Sequence, residues 1–382
     1  MERAKLRFLG VRFTVDFGAM SDEARRFVTS LPEALGSERF FRASEYLNAY
    51  VDRLVHGQVA ALRAEPVARA DVWRWMLRKL ERAGLASLDP WGRLTELRDP
   101  DEPAAEVKRL ALAEMPELAP SFALLDEAAA GYAEFLRGAR DGASILLTPG
   151  ALPVWQRYFD NVDIVYAANN RVAANLVEGL ARPKGGERRA PLELLELGGG
   201  FGSAAEVVLS RAGASLKRYR FTEPFPWFLA NARRRLQRAE PQAPVEYSSL
   251  DVNQPFAGQG VADGSVDVVL AVNVLHVARH LGRTLEQIRR VLRPGGALAL
   301  VECVRPAPDV PIYVDYPFQL LDEFQRVEDL GPARPHGGFL SPSCWRRVLH
   351  DAGFTIEREL PDHEQVKRWY EGLYLAGFTA RV

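Results

Sequence analysis

Glu196, the glycines at 198, 199, 200 and 202, Glu223 and Asp251 are the residues whose types and spacing point most sharply to chemistry. Four glycines in five positions follow the apolar run LELLEL at 192–197. Glycine there permits positive φ and lets a ligand approach the main chain with no Cβ in the way. A helix starting just beyond would offer unsatisfied N–H groups. A nucleotide-like ligand at the carboxyl end of a strand is the expected occupant. Residues 200–205 also fit the G-x-G-x-x-A pattern of dinucleotide sites, and Glu223 stands 21 residues after Gly202, where an acid would hold a ribose. NAD and an oxidoreductase are therefore one reading. Glu196 argues against it, because a carboxylate just before the glycines suits an ammonium and repels a pyrophosphate. Asp251, with Val252, follows a third strand and suits an adenine amino group.

These residues need a sheet to line them up. From 192 onward, strand patterns at 192–197, 218–222, 245–250, 266–272, 297–303, 354–359 and 374–382 alternate with helical stretches. That alternation predicts a largely parallel sheet with helices on both faces. The first part reads differently. Residues 41–63 and 71–84 have apolar positions at helical spacing, and Gly84 is a stop signal. A short hairpin around Pro90-Trp91-Gly92 follows, giving a winged-helix-like pattern. Helices are expected at 104–115, 121–138 and 161–181, with a proline- and aromatic-rich loop between the last two and a polar connector at 182–191.

Composition excludes several classes. The 382 residues suffice for two domains, and 47% hydrophobic content excludes disorder. A net charge of −1 argues against a globally basic nucleic-acid binder, and acids among the arginines of the N-terminal hairpin region argue against a DNA-binding regulator. Two cysteines, Cys303 and Cys344, cannot build a disulfide framework or a four-thiolate metal site. No apolar run approaches a membrane span, and MERAKLRFLGVRF lacks an export signal, so a cytoplasmic location without membrane contact is expected. The oligomeric state is not legible.

ELGGGFG at 196–202, FTEP at 221–224, SLDV at 249–252, VDVVLAVNVLH at 266–276 and VLRPGGALALVE at 291–302 resemble, in order, the motifs of class I S-adenosylmethionine-dependent methyltransferases. NVLHVARHLGRTLEQIRRVLRPGG is similar to the methyltransferase domains of polyketide synthases. The resemblance implies a seven-stranded Rossmann-like α/β sheet with its last strand antiparallel, over about 166–382, behind a helical lid over about 1–165. It implies S-adenosylmethionine as cofactor. Glu196, Gly198, Gly200 and Gly202 would cradle its methionine part, with Asn273 lining that side. Glu223 would hold the ribose, and Asp251 and Val252 the adenine. Phe201 and Ser203 depart from the commoner small-residue pattern.

The resemblance also implies a catalytic pair, His276 in NVLH and Glu302 in ALALVE. An imidazole titrates near neutral pH and is a suitable base; a carboxylate on its other nitrogen fixes the tautomer. The expected work is C-methylation of a β-ketoacyl-type, natural-product-like acceptor, free or borne on a carrier protein. O-methylation of a hydroxyl or carboxylate is the alternative, and the same pair serves both. Blander roles are packing for His276 and an ion pair with Arg305 for Glu302. Two histidines four apart, His276 and His280, can bind zinc, but the H-E-x-x-H form is missing. His336 is expected in solvent or near substrate, and His350 in a structural role. Tyr158, Phe159, Tyr166 and Tyr316 are candidate walls of the acceptor pocket.

Overall fold

The computed structural model describes residues 31, 35, 37–182, 191–368, 370 and 372–382. The connector expected at 182–191 lies, apart from its two end residues, outside the described residues.

The first helix among the described residues, Glu38–Leu62, starts at Ser37, whose hydroxyl accepts from Phe40 N at 3.2 Å. It buries Tyr46, Tyr50, Val55, Val59 and Leu62, on more than one face. Helix Ala70–Arg82 follows, and Gly84, at φ +74°, ends the turn after it. Strands β1 (Ala86–Leu88) and β2 (Leu94–Leu97) pair antiparallel as the expected hairpin. Helices Ala104–Glu114 and Ala119–Leu136 complete the first layer.

The segment read as a proline-rich loop is instead helical, at Ala143–Leu146 and Leu152–Tyr158. Pro153 sits in a first turn, where its missing N–H costs nothing. Buried Trp155 then pins the second helix to the first by donating its indole N–H to Leu146 O at 2.7 Å. Helix Ile164–Ala181 is capped by buried Asp163, which accepts from Val165 N and Tyr166 N and also from the Ser121 hydroxyl at 2.6 Å.

The second half forms one seven-stranded sheet. Its strands are β3 (Leu192–Leu197), β4 (Leu216–Thr222), β5 (Val245–Ser248), β6 (Val266–Val272), β7 (Leu292–Cys303), β8 (Thr355–Leu360) and β9 (Leu375–Arg381). The spatial order is β5-β4-β3-β6-β7-β9-β8, with β5 to β7 parallel and β9 antiparallel to both its neighbours. The last strand of the chain is therefore antiparallel, as expected, and is inserted between β7 and β8. Six of its seven residues are buried, whereas β8 exposes Thr355, Glu357 and Arg358, so the polar strand takes the edge.

One apolar cluster spans both halves. Lid residues such as Tyr50, Trp75, Phe122 and Tyr132 share one cluster with Cys303, Ile312, Tyr316, Phe324 and Phe339, all beyond β7 or at its end. A polar contact reinforces it: Trp75 Nε1 donates to Asp315 Oδ2 at 2.9 Å across 240 positions of chain. The lid is thereby held over the carboxyl ends of β6 and β7. No helix among the described residues is long and apolar enough to cross a membrane.

Candidate active site

The turn from β3 into helix Ser203–Ala212 carries the glycines. Gly198, Gly200 and Gly202 have φ of +57°, +55° and +78°, where a side chain would be strained. Crowding adds to the requirement at two positions. A Cβ on Gly198 would lie 2.4 Å from the Val274 side chain, and one on Gly199 would lie 2.3 Å from the Phe221 ring. Gly200 differs: nothing stands within 4 Å of where its Cβ would be, and it lines a cavity of about 540 Å³. That volume is typical of a cofactor site.

Parallel strands bring the acids to this cavity. Glu196, next to last in β3, lies beside the Tyr219 hydroxyl, which donates to its Oε2 at 2.9 Å. Burial pushes its carboxyl up to about 8, helped by the charge of Glu223 and opposed by the Tyr219 hydrogen bond. Glu223, just after β4, accepts from Gly200 N at 3.0 Å and Phe225 N at 3.1 Å; burial raises it too. Asp251 and Val252 follow β5 and line the same space. Asn273, just after β6, holds the left-handed conformation at φ +51° and accepts from Cys303 N at 2.6 Å.

The residues fit S-adenosylmethionine on two observations. The Ser203 hydroxyl lies buried on the cavity wall with no partner among the described residues. The Gly200 Cβ space is open to the cavity. Two buried carboxyls on one cavity wall also favour a cationic ligand over a pyrophosphate. Glu196, Gly198, Gly200, Glu223, Asp251, Val252 and Asn273 all line the cavity, whereas Gly202 sits behind it, packed on Ala232. Phe201 and Ser203, the two departures from the usual pattern, line it as well.

His276 and Glu302 come together at the ends of neighbouring strands β6 and β7. His276 Nδ1 and Glu302 Oε2 are 2.7 Å apart, with both side chains buried. Glu302 Oε1 accepts from Val274 N at 3.1 Å and Leu275 N at 2.8 Å, so the carboxylate is fully engaged. The imidazole packs against Phe339 and Phe324, with ring centroids 4.6 and 5.9 Å away. Val274 and Val277, on either side of His276, line the cofactor cavity.

Arg305 pairs with Asp315, at 3.0 Å, and not with Glu302. His280 pairs with Glu328 at 2.8 Å, away from the dyad. His350 is exposed, and His336 is half-buried beside Arg305.

The aromatic candidates divide. Phe159 and Tyr166 line the cofactor cavity. Tyr158 lines a separate void of only about 20 Å³. Tyr316 lines neither: it is fully buried, stacked on Tyr132 at 4.4 Å and bonded to Gln58, so it belongs to the lid core. Sequence reasoning also missed Arg334. This guanidinium, 2% exposed, donates to His276 O at 2.8 Å and Ala278 O at 2.6 Å, and pairs with Asp329 at 2.8 Å. It clamps the turn that carries His276. An arginine in a glycine-proline loop, ARPHGG, gives no local sign of that role.

Comparisons with known proteins agree with this fold. The sequence pattern of a family described as a methyltransferase domain matches residues 195–298. A lovastatin diketide synthase of Aspergillus terreus is 37% identical over 172 residues, which is 44% of this chain and 6% of that protein. A highly reducing polyketide synthase of the same organism is 32% identical over 248 residues, 62% of this chain and 9% of the relative. The chain thus spans less than a tenth of the length of these curated relatives. Among solved structures, the CurJ carbon methyltransferase superposes with a TM-score of 0.72 at 22% identity, covering 97% of this chain and 98% of that one. The trans-methyltransferase CalH, solved in complex with SAH, gives 0.62 at 23% identity over 88% of this chain and 90% of that one. At these identities the structural likeness speaks to the fold. The matched segment, the sheet order and the glycine-lined cavity give this chain a methyltransferase domain of the class I fold, with S-adenosylmethionine as its cofactor, similar to the methyltransferase domains of polyketide synthases.

Proposed function

We propose that this enzyme C-methylates a β-ketoacyl thioester, with His276 as general base and Glu302 as the residue that orients it. The observation carrying the reading is the 2.7 Å His276 Nδ1–Glu302 Oε2 contact, made by a carboxylate whose other oxygen is already pinned by two backbone N–H groups. A carboxylate held in this way keeps the proton on Nδ1 and the lone pair on Nε2. The cofactor, when bound, supplies an electrophilic methyl on sulfur that leaves as a neutral thioether. The protein's task is to deprotonate and aim the acceptor.

A carbon flanked by two carbonyls is acidic enough for an imidazole. Nε2 takes its proton, and the enolate carbon so formed would be the nucleophile toward the methyl that the cofactor would supply, with the sulfur as leaving group. Burial of His276 among Phe324 and Phe339 keeps bulk water from the enolate. Relatives named as polyketide synthases support a thioester acceptor of this class.

The test is mass spectrometry of products formed with methyl-labelled cofactor on β-ketoacyl thioesters and on hydroxyl acceptors. Label on the carbon between the carbonyls is expected. Label on oxygen overturns the assignment to carbon, and native turnover by a His276→Ala variant that binds cofactor normally overturns the base.

A further inference from the structure

His276 is 4% exposed and Glu302 is fully buried. Val274 and Val277 line the cofactor cavity, but His276 between them does not. A general base must come within about 3 Å of the atom it deprotonates. An imidazole this buried leaves no room for an acceptor carbon, so one of its covers has to move. Two rings cover it: Phe339, with its centroid 4.6 Å away, and Phe324, at 5.9 Å.

The two rings are held differently. Phe339 lies in a run, 337–342, in which every residue is buried. Phe324 belongs to the four-residue helix Asp322–Gln325, and it is the only buried residue of 322–326. Its ring meets Phe339 at 4.9 Å and Phe318 at 5.7 Å. The helix is otherwise seated on two glycines. A Cβ on Gly338 would lie 2.6 Å from the Phe324 ring, and one on Gly337 would lie 2.7 Å from Gln325 O. The chain is fixed again on either side: Leu320 is buried, and Glu328 donates its N–H to Arg279 O at 2.8 Å and pairs with His280 at 2.8 Å. A short exposed segment anchored by one apolar side chain, between firmer neighbours, opens locally at low cost. The same segment walls the cofactor cavity, because Glu323 and Arg326 line it. Its movement therefore opens the partition between the cofactor cavity and the base.

We propose that helix Asp322–Gln325 is a gate, and that Phe324 must leave the His276 ring for an acceptor to reach Nε2. The Phe339 side stays in place. The gate closes behind the acceptor and shuts water from the enolate. Phe324 acts through access to His276 and is a positioning residue. The inference rests on the reading of His276 as the base that deprotonates a thioester acceptor.

The test is site-resolved mass spectrometry of the full chain labelled with diethyl pyrocarbonate, which acylates an accessible neutral imidazole. His350, which is exposed, and His363, 2% exposed and bonded to Leu375 O, are internal references. In the native protein His276 is expected to react more slowly than His350 but at least ~10-fold faster than His363, since only the gate has to open. Phe324→Ala removes the covering ring. Gly337→Ala keeps the ring and sets a methyl against Gln325 O, at a position outside the left-handed region. Each is expected to speed labelling of His276 about 10-fold or more, with His363 unchanged. In turnover, Gly337→Ala should lower KM for the acceptor by up to ~10-fold, because a larger open fraction is competent to bind. Labelling of native His276 as slow as that of His363, unchanged rates in both variants, or equal acceleration of His363 overturns the gate. Faster labelling of His276 in the variants, with no methylation of any β-ketoacyl thioester, leaves the gate standing and removes the thioester reading.

Discussion

Replacing Glu302 by glutamine separates orientation of the base from folding and from cofactor binding. In the native protein Oε1 accepts from two backbone N–H groups, and Oε2 faces His276 Nδ1 at 2.7 Å. Only an acceptor can face two N–H donors, so the amide oxygen of the substituted side chain must take the Oε1 position. The amide nitrogen then faces Nδ1 and donates to it. The imidazole is forced into the tautomer with its proton on Nε2, and the lone pair that would take the acceptor's proton is gone. An amide replacing the acid of a serine-protease triad lowers turnover ~10⁴-fold for this reason. That corresponds to about 5 kcal/mol of barrier at ~1.36 kcal/mol per factor of ten. The cost in stability is smaller, ~1.5–3 kcal/mol for one charge-assisted bond, because both backbone donors stay satisfied. The assay is single-turnover methyl transfer with labelled cofactor, beside calorimetry with S-adenosylhomocysteine and ¹⁵N NMR of the imidazole. A loss of roughly 10³- to 10⁴-fold is expected, with unchanged cofactor affinity and a shifted tautomer. Turnover within about 3-fold of native, with the tautomer inverted, would refute the reasoning.

Two further outcomes follow from the same geometry. Glu196 is pushed up to about 8 from an ordinary 4.5, so the fold favours its neutral form; the stability this contributes is complete below the ordinary value and lost as pH rises through about 8. Ligand-free native protein should therefore lose thermal stability relative to Glu196→Gln across that window. S-adenosylhomocysteine, whose ammonium we propose meets the carboxylate, should bind up to ~10-fold more tightly per pH unit on the approach to about 8, with no such slope in Glu196→Gln; equal slopes would refute the contact. Arg334→Met should leave the His276 and Ala278 carbonyls unpaired, costing ~1–3 kcal/mol for each in unfolding assays. As a positioning residue it should lower kcat by at least ~10-fold with little change in KM, and Arg334→Lys should recover part of the loss; a purely structural residue would show the unfolding shift without the change in kcat.

Much of the site was legible from consecutive residues. Glycines at 198, 200 and 202 permit the positive φ that their turn uses, and acids at the ends of successive apolar runs must come to one edge once those runs pair in parallel. The meeting of His276 and Glu302 follows from the same rule, since β6 and β7 are neighbours. Other properties depend on what distant chain covers. LELLEL does not reveal that Glu196 is sealed beneath Tyr219 and raised by burial. Tyr316 and Phe159 read alike as aromatic walls, yet Tyr132 and Gln58 draw one into the lid core and leave the other at the cavity. The Arg334 clamp, the place of β9 inside the sheet and the covering of His276 by Phe324 all arise from segments tens to hundreds of residues apart. Spacing along the chain specifies backbone conformation and strand-end chemistry. Desolvation, pairing partners and cavity shape are set by which surfaces fold against each other, and those only the tertiary structure decided.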